Sequence, residues 1–144
     1  MQYEKELVMN RMISMFGLMA LMGATSLFAQ TAAVRATIPF DFRVGTRLMP
    51  AGSYTVTQSS AVLFLRKEGD DRNSVISMTN SAYHSGAVNN GGLEFNRYGN
   101  VYFLSTMWSP DSSYGRELIK TSQEREIAKR AKSVETAEIA LKVK

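Results

Sequence analysis

Period two dominates the chain from Val34 onward. Val34, Ala36, Ile38, Phe40, Phe42 and Val44 fall on one face, with Arg35, Thr37, Pro39, Asp41 and Arg43 on the other. Strict alternation over this length predicts a strand with one buried face. Pro39 has no N–H for a ladder, so it marks a sheet edge or a bend. Met49-Pro50-Ala51-Gly52 predicts a type I turn. Residues 53–59 follow as a strand, with Tyr54 and Val56 on one side and Thr55 and Thr57 on the other. Residues 61–66 and 74–79 predict a hairpin around the turn-like residues 68–73.

Gly99-Asn100 is a two-residue tight-turn signal between two further strands, 93–98 and 101–108. A two-residue loop sets Tyr98 opposite Val101, Phe95 opposite Leu104 and Leu93 opposite Thr106. The expected core face then holds Leu93, Phe95, Arg97, Tyr102, Leu104, Thr106 and Trp108. The other face holds Glu94, Asn96, Tyr98, Val101, Phe103, Ser105 and Met107. The stretch around Tyr83-His84-Ser85 reads as a polar loop, and residues 115–120 as a short extended piece. Thr121 to Glu124 fits a capping box. Ile127, Ala131, Val134, Ala137 and Leu141 then recur at helical spacing, which predicts a helix to residue 143, docked or tail-like. The fold class expected is mainly β: an antiparallel sandwich or partly open barrel of about seven short strands with one C-terminal α-helix.

Residues 12–29 carry no charge and follow Arg11, with small residues near their end. This predicts a secretory signal peptide over residues 1–29, cut after Ala29, with Ala33 as the reserve site. Glu4 and Glu6 are unusual in such a leader, and Met9 offers a cleaner start. A permanent anchor is the competing reading, but Gly17, Gly23, Thr25 and Ser26 dilute the run. The expected organisation is signal peptide 1–29, β domain 30–120 and helix 121–144, with no membrane span once the leader is removed. A spanning β-barrel is not expected, because the chain closes on a Lys/Glu-rich segment.

Composition then narrows the chemistry. The 144 residues suffice for one modest core. There is no cysteine, which excludes disulfides, a thiolate nucleophile and Cys-ligated metals, and a single histidine excludes a multi-His site. No catalytic residue, metal ligand or cofactor is expected. No Ser sits in a nucleophile-elbow context such as G-x-S-x-G, and His84 reads as a surface-loop residue. Glu68, Asp70 and Asp71 read as a solvated turn, and nothing in the pattern fixes a separation between Glu94 and Asp111. Lys129, Arg130 and Lys132 interleave with Glu124, Glu126 and Glu135, which suits a solvated helix face with local ion pairs rather than a nucleic-acid surface. The aromatic strip Tyr98, Tyr102, Phe103 and Trp108 reads as core or as a shallow binding surface. Arg97, Tyr98, Phe103 and Met107 are the ligand or partner surface that the pattern suggests.

The segments IPFDFRVGTRLMPAGSYTV, LEFNRYGNVYFLSTMW and GRELIKTSQERE resemble, in this order, a family of short secreted proteins of Gram-negative soil bacteria. The resemblance implies a secreted single domain and nothing chemical. The function expected is an exported, periplasmic or extracellular, non-enzymatic binding or envelope-associated protein. Its expected partner is an envelope component, a polysaccharide or a protein. The alternative is a small secreted hydrolase that uses carboxylates or His84. A deep pocket with converging buried polar groups would favour the hydrolase, and a flat aromatic patch or an open strand edge the binder. Expressed in a Gram-negative host, the protein is expected in the periplasmic fraction with a new N-terminus at Gln30 or Val34. N-terminal sequencing checks this, and full-length protein retained in the cytoplasm would reject the leader.

Overall fold

The computed structural model describes residues 33–88 and 90–143; the leader and its cleavage after Ala29 lie outside the described residues. The first alternating run is two strands, β1 (Ala33–Ile38) and β2 (Phe42–Val44), rather than one. The break falls at Pro39, which has no donor, and is fixed at Asp41, whose Oδ1 accepts from the Ala51 N–H at 2.8 Å. Gly45, at φ +62°, turns β2 into β3 (Arg47–Met49). β4 (Gly52–Ser59), β5 (Val62–Lys67) and the long β6 (Asp70–Val88) follow, then the hairpin β7 (Gly92–Tyr98) and β8 (Val101–Trp108), then β9 (Ser112–Leu118). After the helix α1 (Ser122–Arg130) come β10 (Glu135–Ala140) and β11 (Lys142–Val143). Among the described residues the chain is therefore mainly β with one short helix, and eleven strands replace the expected seven.

The strands form one open hydrogen-bonded path in the order β10-β7-β8-β9-β6-β5-β4-β1-β11, with β2 beside β8 and β3 beside β2. Pairing is antiparallel except between β2 and β8. β6 joins the two halves of the path: Ser74 to Met78 pair with β5, and Thr79 to Tyr83 pair with β9. At this handover the buried Thr79 donates both its N–H and its hydroxyl to the Ala61 carbonyl. The two ends of the path are consecutive in the chain. β10 pairs with β7, β11 pairs with β1, and the buried Leu141 stands between them.

Inside lie Val34, Ala36 and Ile38 of β1, Tyr54 and Val56 of β4, and Leu93 and Phe95 of β7, in step with their alternation, together with Leu63 and Leu65 of β5. Full burial of each large side chain stabilises the fold by about 1.5–3 kcal/mol. Phe42 connects the two sides, with its ring edge-on to Tyr54 at 5.3 Å and to Phe95 at 5.4 Å. Tyr54 donates its hydroxyl to the Pro50 carbonyl. Burial, then the nearby Asp41 and Asp70 charges, push its ionisation up to about 12, so it remains a donor.

The turn at Gly99-Asn100 closes as expected, with Tyr98 opposite Val101 and Phe95 opposite Leu104. Beyond that point the register differs from the expectation. Glu94 pairs with Thr106 and Leu93 with Met107, so Ser105 is an extra residue on β8. Its hydroxyl donates to the Glu94 carbonyl at 3.0 Å. A bulge of one residue exchanges the faces beyond it. Met107 therefore joins the core, while Thr106 and Trp108, expected inside, are buried on the opposite side of the sheet.

Two stretches depart further from the expectation. Residues 80–88 are strand, not loop, although they lack an apolar face: Asn80 to Tyr83 and then Val88 pair with β9, with a shift of register between. The helix ends at Arg130 rather than 143, and Glu135–Ala140 is an edge strand with Ala137 and Ile139 turned toward the core. Thr121 caps α1, accepting from the Glu124 N–H at 3.2 Å. The Glu124 side chain does not return to the cap. It is only 4% exposed and accepts from Asn96 Nδ2 at 3.1 Å and the Tyr98 hydroxyl at 3.3 Å, which fastens α1 over β7. Burial and the adjacent Glu124 raise the Tyr98 ionisation, so this donor also stays neutral. Among the described residues, no helix is long and apolar enough to cross a membrane.

Glu124→Ala is expected to cost about 1–3 kcal/mol, since it strands two donors beneath the helix. Glu126→Ala, which breaks only an exposed pair with Lys129, is expected to change stability by less than about 0.5 kcal/mol. Urea unfolding of both variants measures the difference.

Candidate functional site

Of the suggested surface Arg97, Tyr98, Phe103 and Met107, the structure leaves only Arg97 partly exposed and buries the other three. Tyr98 and Phe103 share the side of the β7–β8 hairpin that α1 roofs, and their rings meet edge to face at 6.0 Å. Met107 has moved into the core through the bulge at Ser105. Arg97 is half-exposed but occupied. Its Nε donates to the Gly99 carbonyl at 2.8 Å, its Nη1 meets Glu135 at 3.2 Å, and its guanidinium lies 5.4 Å from the Tyr102 ring centre. Arg97 and Tyr98 thus join the hairpin to the edge strand and to the helix.

The candidate carboxylates are dispersed. Glu68 holds Arg35 at 2.7 Å, Asp70 accepts from Arg72 and Asn73, and the exposed Asp71 faces Arg66 at 3.9 Å. Glu94 stands opposite Glu138 of β10, and Asp111 lies in the β8–β9 turn, so the imagined Glu94–Asp111 pair is not assembled. Among the described residues, no three His, Cys, Asp or Glu side chains gather where they could hold a metal ion.

What the fold assembles instead is a set of aromatic rings where β6 and β9 run past the core. Tyr83 and Tyr114 are directly opposed, with ring centres 5.5 Å apart at 60°. They are 68% and 65% exposed. Every other Phe, Tyr or Trp ring among the described residues is buried or half-buried. Two pairs further in, Arg116 Nη1 donates to Ser81 Oγ at 3.1 Å. Alternation puts both pairs on the face that holds Leu118 in the core, so the tyrosines extend the inner face into solvent.

The opposite face of the same ladder carries Trp108 and His84, with ring centres 5.5 Å apart at 73°. Trp108 pairs with Gly115 across β8 and β9. A Cβ on Gly115 would come within 2.6 Å of the indole and 2.5 Å of the Met107 carbonyl, so glycine is what lets the ring lie flat on the strand. The indole Nε1 is buried without a hydrogen-bond partner among the described residues. The pattern of residues 80–88 concealed this site, since strand ends beyond a core need no apolar alternation. The one available signal was the recurrence of Tyr at 83 and 114 beside small residues Ala82 and Gly115.

No family model, no curated protein and no solved structure matches the chain.

Gly115→Ala is expected to lift the indole and destabilise the fold by about 1–3 kcal/mol, the range for overpacking. Trp108 is the only tryptophan, so its emission reports the displacement directly. An unchanged spectrum and unchanged stability would show that the ring does not rest on this glycine.

Proposed function

We propose that the chain is an exported, non-enzymatic binding protein that engages a component of the cell envelope through the Tyr83–Tyr114 ladder. The exposure of these two rings carries the reading. A cross-strand aromatic pair contributes only about 0.2–1 kcal/mol to a sheet. Covering each ring fully would release about 1.5–3 kcal/mol, so the pair is worth more against a partner than within the fold. Tyrosine suits that use, because it offers a large, rigid and amphipathic face at little entropic cost. Arg116 and Ser81 supply polar groups beside the rings. The resemblance to short secreted proteins supports export to the periplasm or beyond. The hydrolase alternative gains no support: among the described residues His84 bonds no carboxylate, and the recess that holds Glu68 and Asp71 also holds Arg66 and Lys67, with Glu68 tied to Arg35.

Co-sedimentation of the purified protein with isolated Gram-negative envelope fragments tests the reading. Wild type is expected in the pellet. Tyr83→Ala/Tyr114→Ala is expected to lower the bound fraction at least tenfold with little change in melting temperature. Wild type left in the supernatant, or a double variant that pellets equally well, would overturn it.

A further inference from the structure

A recessed surface lies between the Gly99 turn and the end of α1. It is an open cleft of about 450 Å³, within the ~300–1,000 Å³ typical of small-molecule sites. Its apolar wall is formed by Ile127 and Ala131, with the nearly buried Tyr98 at the floor. Its polar groups are Arg130, Lys132 and Ser133, and no carboxylate side chain lines it. The nearby acids are engaged elsewhere: Glu124 by Asn96 and Tyr98, Glu126 by Lys129, and Glu135 by Arg97. Among the described residues, neither Arg130 nor Lys132 forms an ion pair. A cation in the last helical turn ordinarily answers the helix dipole, which amounts to about half a charge. Here the Ile127 carbonyl already takes the Ala131 N–H, and two full charges face the cleft. The positive surplus is therefore larger than the helix end requires. Over Gly99, where φ is +64°, a Cβ would meet nothing within 4 Å, so the cleft is open on that side.

We propose that this cleft binds a small amphiphilic carboxylate, its alkyl body against Tyr98, Ile127 and Ala131 and its head between Arg130 and Lys132. The site is separate from the Tyr83–Tyr114 ladder, so each can fail without the other.

Calorimetric titration of the purified protein with octanoate, below the concentration at which it forms micelles, tests the proposal. Saturable binding at one site is expected, at least tenfold tighter than that of octanol or acetate. Arg130→Gln/Lys132→Gln, at two exposed positions, should weaken octanoate at least tenfold while the melting temperature holds. Ala131→Trp should abolish binding by filling the cleft with both cations still present. No saturable octanoate binding, equal binding of octanol, or undiminished binding by either variant would overturn it.

Discussion

One extra residue in β8 governs both the core and the outer surface of the sheet. Before Ser105 the hairpin sends Leu104 inward, and after it the inward residue is Met107. Without the bulge Trp108 would face the core and Met107 would point out. With it, the bulkiest side chain of the strand is laid across β9, where only a glycine leaves room. The bulge also ends the stretch in which β8 runs beside β2. Arg43 of β2 pairs with Phe103 before it, and β9 takes over from Thr106 after it. A single insertion thus divides β8 between two neighbours and two packing environments.

β6 makes the second division. Its first half completes one side of the core and its second half continues past it, which is why the same strand carries the half-buried Val75 and the exposed Tyr83. The β6–β9 ladder needs no apolar face to persist, because its backbone pairing is continuous from Thr79 to Tyr83. Side chains there are released from packing. Two of them are nonetheless tyrosines, and this is the observation on which the binding reading rests.

The parts of the fold that were legible are those where one face meets the core throughout. Val34 to Ile38, Tyr54 and Val56, and Leu93 and Phe95 alternate because each strand has water on one side and the core on the other. The Gly99-Asn100 turn was legible from local backbone preference alone. Ser105 gave no signal, since nothing in a short polar residue marks it as the inserted one. The C-terminal segment misled through its alanines: Ala131, Val134, Ala137 and Leu141 fit a helical stripe, yet Ala137, Ile139 and Leu141 also fit period two, and pairing with β7 decided between them. The burial of Tyr98 and Phe103, named with Arg97 and Met107 as a suggested surface, was hard to read for a related reason. Apolar residues on a sheet's second face need a cover, and α1 supplied it through a buried carboxylate that no apolar pattern discloses. The Tyr83–Tyr114 pair was hidden because long-range pairing, not local sequence, makes residues 80–88 a strand.

The last residues of the chain bear on the order in which it can fold. Leu141 holds a pair of short strands that bind opposite ends of the path: β10 lies against β7, and β11 against β1. The first described strand therefore lacks its outer neighbour until the final residues are present. Pairings between distant parts of a chain are slow to form, because ordering the intervening segment precedes the gain. A chain of this topology, emerging N-terminus first from a ribosome, closes the ladder on β1 only once residues 142 and 143 are free, so one short stretch sews both edges of the path.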